Sequence, residues 1–130
     1  ENFKLKNLVF ASNFKKEDKA VFNKFIDFAN QFKSKIHLLK INTPSNFESS
    51  RETTKKIKRF IKRCDLPKHS VNIYNDTSVE KGILNFSKDN NSDLIALCTH
   101  GRSSLSHLFS PSISKKLSKY ATIPVLTIKG

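Results

Sequence analysis

Residues 93–128 read DLIALCTHGRSSLSHLFSPSISKKLSKYATIPVLTI. Asp93–Cys98 is predicted as a strand, and its run Leu94–Cys98 is apolar throughout, as a strand covered on both faces must be. Residues 99–109 form a polar loop. Ser110-Pro111 then reads as an N-cap followed by proline at the first helical position, where its missing N–H costs nothing. The helix that opens there runs to about Tyr120, and Pro124–Ile128 closes the chain as a further strand. Strand, helix and strand in this order, with the first strand buried on both sides, predict a crossover unit of a parallel sheet.

The same alternation extends back to the amino end. Lys6–Ala11 is predicted as the first strand, with the buried run Leu8–Ala11. Over 17–33 the apolar spacing turns helical: Val21, Phe25, Phe28 and Phe32 recur at intervals of four, three and four, and Phe22, Ile26 and Ala29 widen the stripe into a core-facing side. Ile36–Ile41 is too short for a helix and reads as the second strand, broken by Thr43-Pro44-Ser45-Asn46. A second helix is predicted at about 50–64, with Ile57, Phe60, Ile61 and Cys64 on its buried side. Ser70–Tyr74 is the third strand. Thr77-Ser78-Val79-Glu80 fits a capping box, Thr77 as N-cap and Glu80 reaching back, for a third helix ending near Asp89. Asn90-Asn91-Ser92 turns the chain into the fourth strand.

Five strands alternating with four helices predict an α/β fold over residues 1–130: a three-layer sandwich around a five-stranded parallel sheet. Right-handed crossovers make 3-2-1-4-5 the natural strand order, with two helices on each face. At 130 residues the chain is one domain. No apolar stretch approaches the roughly 20 residues that span a bilayer, so no membrane partner is expected. There is no methionine, even at position 1, and the chain is expected to be part of a longer product. Cys64 and Cys98 lie far apart without CxxC spacing, which predicts reduced thiols in a cytoplasmic protein rather than a disulfide or zinc site.

In open parallel sheets, ligands bind beyond the carboxyl ends of the strands, where strand order reverses. That rule selects Ser12-Asn13, Asn42-Thr43 and the segment Cys98–Ser104. The last carries one of three glycines in the chain, a His, an Arg and two hydroxyls, and leads toward a helix N-terminus. These features suit a phosphate cradle, although the segment matches neither a Walker loop nor GxGxxG. An ordinary βα loop with Gly101 serving backbone geometry is the competing reading.

The stretch THGRSSL…PSISKKL…TIPVLTI resembles the carboxyl-terminal signature of the universal stress protein family. LVFASNF and KIHLLKINTP are similar to the family's first strand with its ligand-binding turn and to its second strand. The resemblance covers essentially the whole chain and implies the Rossmann-like, adenine nucleotide alpha hydrolase-like fold. The family's pattern is Gly, two residues, Gly, nine residues, then Gly-Ser or Gly-Thr. Here the first glycine falls on Cys98, the second is kept as Gly101, and the third falls on Pro111 ahead of a matching Ser112. The aspartate that follows the first strand in ATP-binding members falls on Asn13.

On this resemblance a nucleotide would place its ribose or base at Asn13 and its adenine edge at the backbone around Ile41. Its phosphates would lie at His100, Gly101, Arg102 and the N–H groups of Ser112 and Ile113. Pro111 removes one N–H donor, and Asn13 lacks the charge that would strengthen its bond. The expectation is therefore a degenerate site with no resident cofactor, in a non-catalytic stress-response or signalling module, one half of a tandem protein and most plausibly the second. An ATP-binding switch with slow hydrolysis, loaded with ATP and magnesium, is the competing reading.

No catalytic set survives the spacing. Asp93 and His100 lie at opposite ends of the fourth strand, roughly 20 Å apart at about 3.3 Å per residue, so with Ser103 they form no triad. His37, His69, His100 and His107 show no metal-ligand spacing. The net charge of +13 attracts polyanions, and residues 51–63 carry seven cations against one carboxylate. Without exposed aromatics between those charges for base stacking, a nucleic-acid-binding domain is the less favoured reading, and a solvated face or an acidic partner the more favoured. Val125–Ile128 forms an uncharged edge strand, which predicts a homodimer or pairing with a second domain of the same family through strand five.

Overall fold

The computed structural model describes residues 5–15, 19–99 and 111–129. Five strands, β1 (Asn7–Ala11), β2 (Lys35–Asn42), β3 (His69–Asn75), β4 (Leu94–Thr99) and β5 (Val125–Lys129), alternate with helices α1 (Lys19–Gln31), α2 (Ser50–Ile61), α3 (Val79–Asp89) and α4 (Pro111–Tyr120). All sheet pairings are parallel, in the order β3-β2-β1-β4-β5.

The central strands are the apolar ones because both their faces are covered. Leu8, Phe10, Ile36, Leu38 and Ala96 turn toward α1 and α2, where Phe22, Phe25, Ile57 and Phe60 meet them. Val9, Ala11, Leu39, Ile41, Ile95 and Leu97 turn toward α3 and α4, against Ile83, Phe86 and Leu117. Phe10 is the centre of the first layer. Its ring lies 4.9 Å from that of Phe22 and 5.2 Å from that of Phe25, spacings at which aromatic pairs attract beyond their burial.

Two expectations change at the helices. α1 buries Val21, Phe22, Phe25, Ile26 and Ala29, whereas Phe32 lies past the helix end and is exposed. The stripe is centred on Phe22–Ala29, and Phe28 and Phe32 only flank it. α3 is capped by Ser78, whose Oγ accepts from the Lys81 N–H at 3.3 Å. Thr77 instead bonds the Asp76 carboxylate through its N–H at 2.7 Å, so the capping box read from Thr77 and Glu80 does not form. α2 is capped by Ser49, whose Oγ accepts from the Glu52 N–H at 3.2 Å and lies 3.5 Å from Glu52 Oε1, so one orphan donor of the first turn is satisfied by the serine hydroxyl. The N-cap expected of Ser110 lies outside the described residues.

Asp93 sits between the two halves of the sheet. Its carboxylate accepts from the backbone N–H groups of Lys6 at 3.0 Å and Asn7 at 2.8 Å, tying the start of β1 to that of β4. Among the described residues no helix is long and apolar enough to cross a membrane.

Candidate functional site

Strand order reverses between β1 and β4: β1 leads by α1 to β2 on one side, whereas α3 returns the chain to β4 on the other. The register aligns Ala11 with Leu39 and with Leu97. Ser12-Asn13, just past β1, therefore lie level with Lys40-Ile41 and Cys98-Thr99, residues of β2 and β4 beyond their pairing with β1, at the carboxyl edge where ligands of such sheets bind.

The β1 exit is a tight turn. Ser12 Oγ accepts from the Phe14 N–H at 2.8 Å, and the Ser12 N–H donates to Leu39 O at 3.1 Å. Phe14 has φ of 55°, the left-handed region that bulky side chains rarely enter. Its ring is held there by packing at 5.2 Å, edge-on, against Phe60. Asn13 is carried between them, only 6% exposed, and its carbonyl accepts from Lys56 Nζ at 3.3 Å.

Beside it lies a polar cluster that the apolar reading of the second strand passes over. Lys40 is 4% exposed, and its Nζ donates to the Ile41 carbonyl at 3.2 Å. Burial lowers its pKa; Glu48 pulls the other way and Lys56 adds to the lowering. Glu48 pairs with Lys56 at 2.8 Å and accepts from Thr53 Oγ1 at 2.6 Å. Burial alone would raise the Glu48 pKa, but the bonds from Lys56 and Thr53 outweigh it and hold the carboxyl below its ordinary value. Asn42 fastens the loop by accepting from the Glu48 N–H at 3.1 Å and donating to its carbonyl at 3.0 Å. On the other face, a Cβ at Gly82 would come 2.7 Å from Ile41 Cγ2. Glycine thus lets α3 close on the end of β2.

Of the residues expected at the site, Asn13 and Ile41 stand at this carboxyl edge. Ser112 and Ile113 lie in the first turn of α4, which opens on Pro111, and the Ile113 side chain packs on the core beneath α4. His100, Gly101 and Arg102 lie outside the described residues. Lys40, Glu48, Lys56 and Gly82 were not singled out in advance. Two signals existed: a lysine inside the run Ile36–Ile41, and a glycine within a helix, where it is disfavoured unless something approaches closely.

Among the described residues, no three His, Cys, Asp or Glu side chains group as metal ligands. His37 is held by Ser70 Oγ at 2.8 Å and Asn7 Oδ1 at 3.0 Å. Burial, and then the Lys35 charge, lower its pKa. On α2, Arg51, Lys55, Lys58 and Arg59 are exposed, and its one aromatic, Phe60, is buried, so the helix offers charge without a stacking surface.

The family model for the universal stress protein family matches residues 4–129. The chain belongs to the universal stress protein family. Among solved universal stress proteins, UspA from Lactobacillus plantarum superposes with a TM-score of 0.72 at 15% identity, covering 98% of this chain and 99% of that one. A universal stress protein from Archaeoglobus fulgidus, in complex with dAMP, gives 0.68 at 12% identity, covering 98% and 100%. A universal stress protein in complex with cAMP gives 0.65 at 11%, covering 95% and 96%. No curated protein sequence matches the chain.

Proposed function

We propose that this universal stress protein domain is a non-catalytic stress-response or signalling module whose nucleotide site is degenerate and partly filled from within. The observation that carries the reading is the bond from Lys40 Nζ to the Ile41 carbonyl. That carbonyl is the acceptor an adenine amine would need at the end of β2, and the chain supplies its own donor there. Two further features support the reading. Asn13 offers an uncharged amide where a carboxylate would hold a ribose, and α4 opens on Pro111, which has no N–H for a phosphate oxygen. Losing one charge-assisted bond and one neutral bond weakens a nucleotide by about 2–4 kcal/mol, or about 30- to 1000-fold.

An adenine nucleotide remains the ligand this cleft would take, since neighbours of the same fold are complexes with dAMP and cAMP. ATP with magnesium would occupy it weakly. The reading predicts that the purified chain, denatured and extracted, releases no nucleotide near one equivalent by ion-exchange chromatography. A stoichiometric adenine nucleotide in the extract would make the chain a loaded ATP-binding switch instead.

The same reading places the module in the cytoplasm, in keeping with two cysteines that form no disulfide, and pairs it through β5. That strand is the sheet's outer edge beyond β4. The Ile95 N–H donates to Pro124 O, and the alternation of a strand then turns the N–H groups of Val125 and Thr127 outward. A homodimer, or a second domain of the same family, would use those groups. Light scattering is expected to give a dimer for the chain and a monomer for Thr127→Pro; a monomeric parent chain at high concentration would refute the pairing.

A further inference from the structure

β3 forms the outer edge of the sheet opposite β5. Its ladder to β2 fixes which backbone groups are spare. The Ile36 N–H bonds Lys68 O at 3.0 Å, and the Asp76 N–H bonds Asn42 O at 2.9 Å, with an unbroken one-to-one register between them. Even-numbered residues of β3 therefore turn their backbone groups toward β2. The N–H and C=O groups of His69, Val71, Ile73 and Asn75 turn outward, and among the described residues no strand takes them up. The usual protections of an open edge are missing from this strand: His69–Asn75 holds no proline, no lysine and no bulge.

The surroundings of that edge select its partner. Val71 pairs with Leu38 and Ile73 with Lys40, so by strand alternation both lie on the sheet face that α2 covers. Val71 is 44% exposed, an apolar side chain left bare at the rim. Lys56 reaches from α2 toward Asn13 O, on the β1 side. At 3.6 residues per turn, the opposite flank of α2, which looks out past β3, carries Thr54, Lys58 and Ile61. Arg51, Lys55, Lys58 and Lys62 recur at i, i+4, i+7 and i+11 as one exposed stripe bordering that flank. Residues 50–68 carry eight cations against two carboxylates. Glu48 is already paired with Lys56, and Asp76 accepts from Thr77 and Asn85.

We propose that the β3 edge docks an extended acidic segment of a partner protein, which joins the sheet as a sixth strand. Main-chain bonds to the outward groups of β3 would supply affinity, and alternate side chains would supply specificity. An apolar residue would lie against Val71, with a carboxylate two positions to either side facing the cations of α2. A second copy of this chain does not fit. None of the five strands contains Asp or Glu, and a copy would bring a second α2 of the same charge. A nucleic acid would meet the charge but has no amides to extend the sheet. The proposal does not rest on the nucleotide reading, whose cleft lies between β1 and β4.

The test titrates acetyl-Thr-Glu-Thr-Val-Thr-Glu-Thr-amide, whose symmetric pattern suits either strand direction, into the ¹⁵N-labelled full chain. Saturable one-to-one amide shifts are expected within 69–75 and along α2. The peptide with Gln in place of Glu is expected to bind at least about tenfold more weakly. At saturation, hydrogen exchange at the Val71 and Ile73 amides should slow at least about fivefold, while Asn72, already bonded to β2, stays unchanged. Lys58→Gln, at an exposed position, is expected to weaken the Glu peptide about threefold and leave the Gln peptide unmoved. No saturation by about 5 mM, equal binding of the two peptides, or unchanged exchange at Val71 and Ile73 would each overturn the proposal. Oligothymidylate binding as tightly as the Glu peptide, with the same shifts, would make the surface a general polyanion site and overturn it too.

Discussion

Lys40→Met separates the proposed self-filled nucleotide site from a merely weak one. In the native chain an adenine amine competes at the Ile41 carbonyl with Lys40 Nζ, which donates to it at 3.2 Å, and the cost is greatest where it displaces that bond. The displaced bond is charge-assisted, about 1.5–3 kcal/mol, and the bond that replaces it is neutral, about 0.5–1.5 kcal/mol. The balance, about 1–1.5 kcal/mol against the base, is relieved when the ammonium is gone, which corresponds to roughly tenfold in affinity. Methionine keeps the length of the apolar stem, so the packing of β2 on α2 is retained. Equilibrium dialysis with labelled ATP and magnesium is expected to show that gain for Lys40→Met. With inosine triphosphate the gain should vanish, because inosine presents a carbonyl where adenine presents its amine. An ATP affinity unchanged within about twofold, or weaker, would refute the reasoning; an equal gain for both nucleotides would assign the effect to the space the ammonium leaves, not to the Ile41 carbonyl.

Other consequences concern stability. Gly82→Ala gains helix propensity of about 1 kcal/mol but sets a methyl 2.7 Å from Ile41 Cγ2 and 2.9 Å from its Cδ1; urea unfolding should show a net loss of about 1–2 kcal/mol. His37 has a folded pKa below its ordinary value near 6.5, so in acid the unfolded chain binds the extra proton. Stability should therefore hold above about pH 6.5 and fall as pH drops from there toward the depressed folded value, a slope that His37→Gln should flatten in unfolding curves taken across that window.

How far these features were legible in the sequence depends on their range. The order of elements and the doubly covered central strands follow from apolar runs and punctuation, since a strand such as Leu94–Cys98 can be satisfied only between two layers, whereas the sheet order rested on right-handed crossovers together with the family resemblance. The edges of that pattern were harder. Phe28 and Phe32 share the spacing of Phe25, but α1 ends at Gln31 and leaves Phe32 beyond the core. Thr77 and Ser78 are equally good caps in sequence, and the Asp76 carboxylate decides between them by taking the Thr77 N–H. At the candidate site, the rule that ligands meet the carboxyl ends of strands pointed to Ser12-Asn13 and Asn42-Thr43, and the expectation for Ile41 came from the family resemblance. The cluster of Lys40, Glu48, Lys56 and Asn42 was not, because it joins a strand, a loop and a helix through contacts no periodicity encodes. The lysine within Ile36–Ile41 was the visible sign of it: a cation there must find partners or leave the core.

The most direct test of the central claim is a calorimetric titration of the purified chain with ATP and magnesium. An intact micromolar site weakened about 30- to 1000-fold becomes a site of about 0.03–1 mM, so weak heats without saturation in the low micromolar range are predicted. A dissociation constant below about ten micromolar would contradict the degenerate-site reading and make nucleotide binding the domain's primary function.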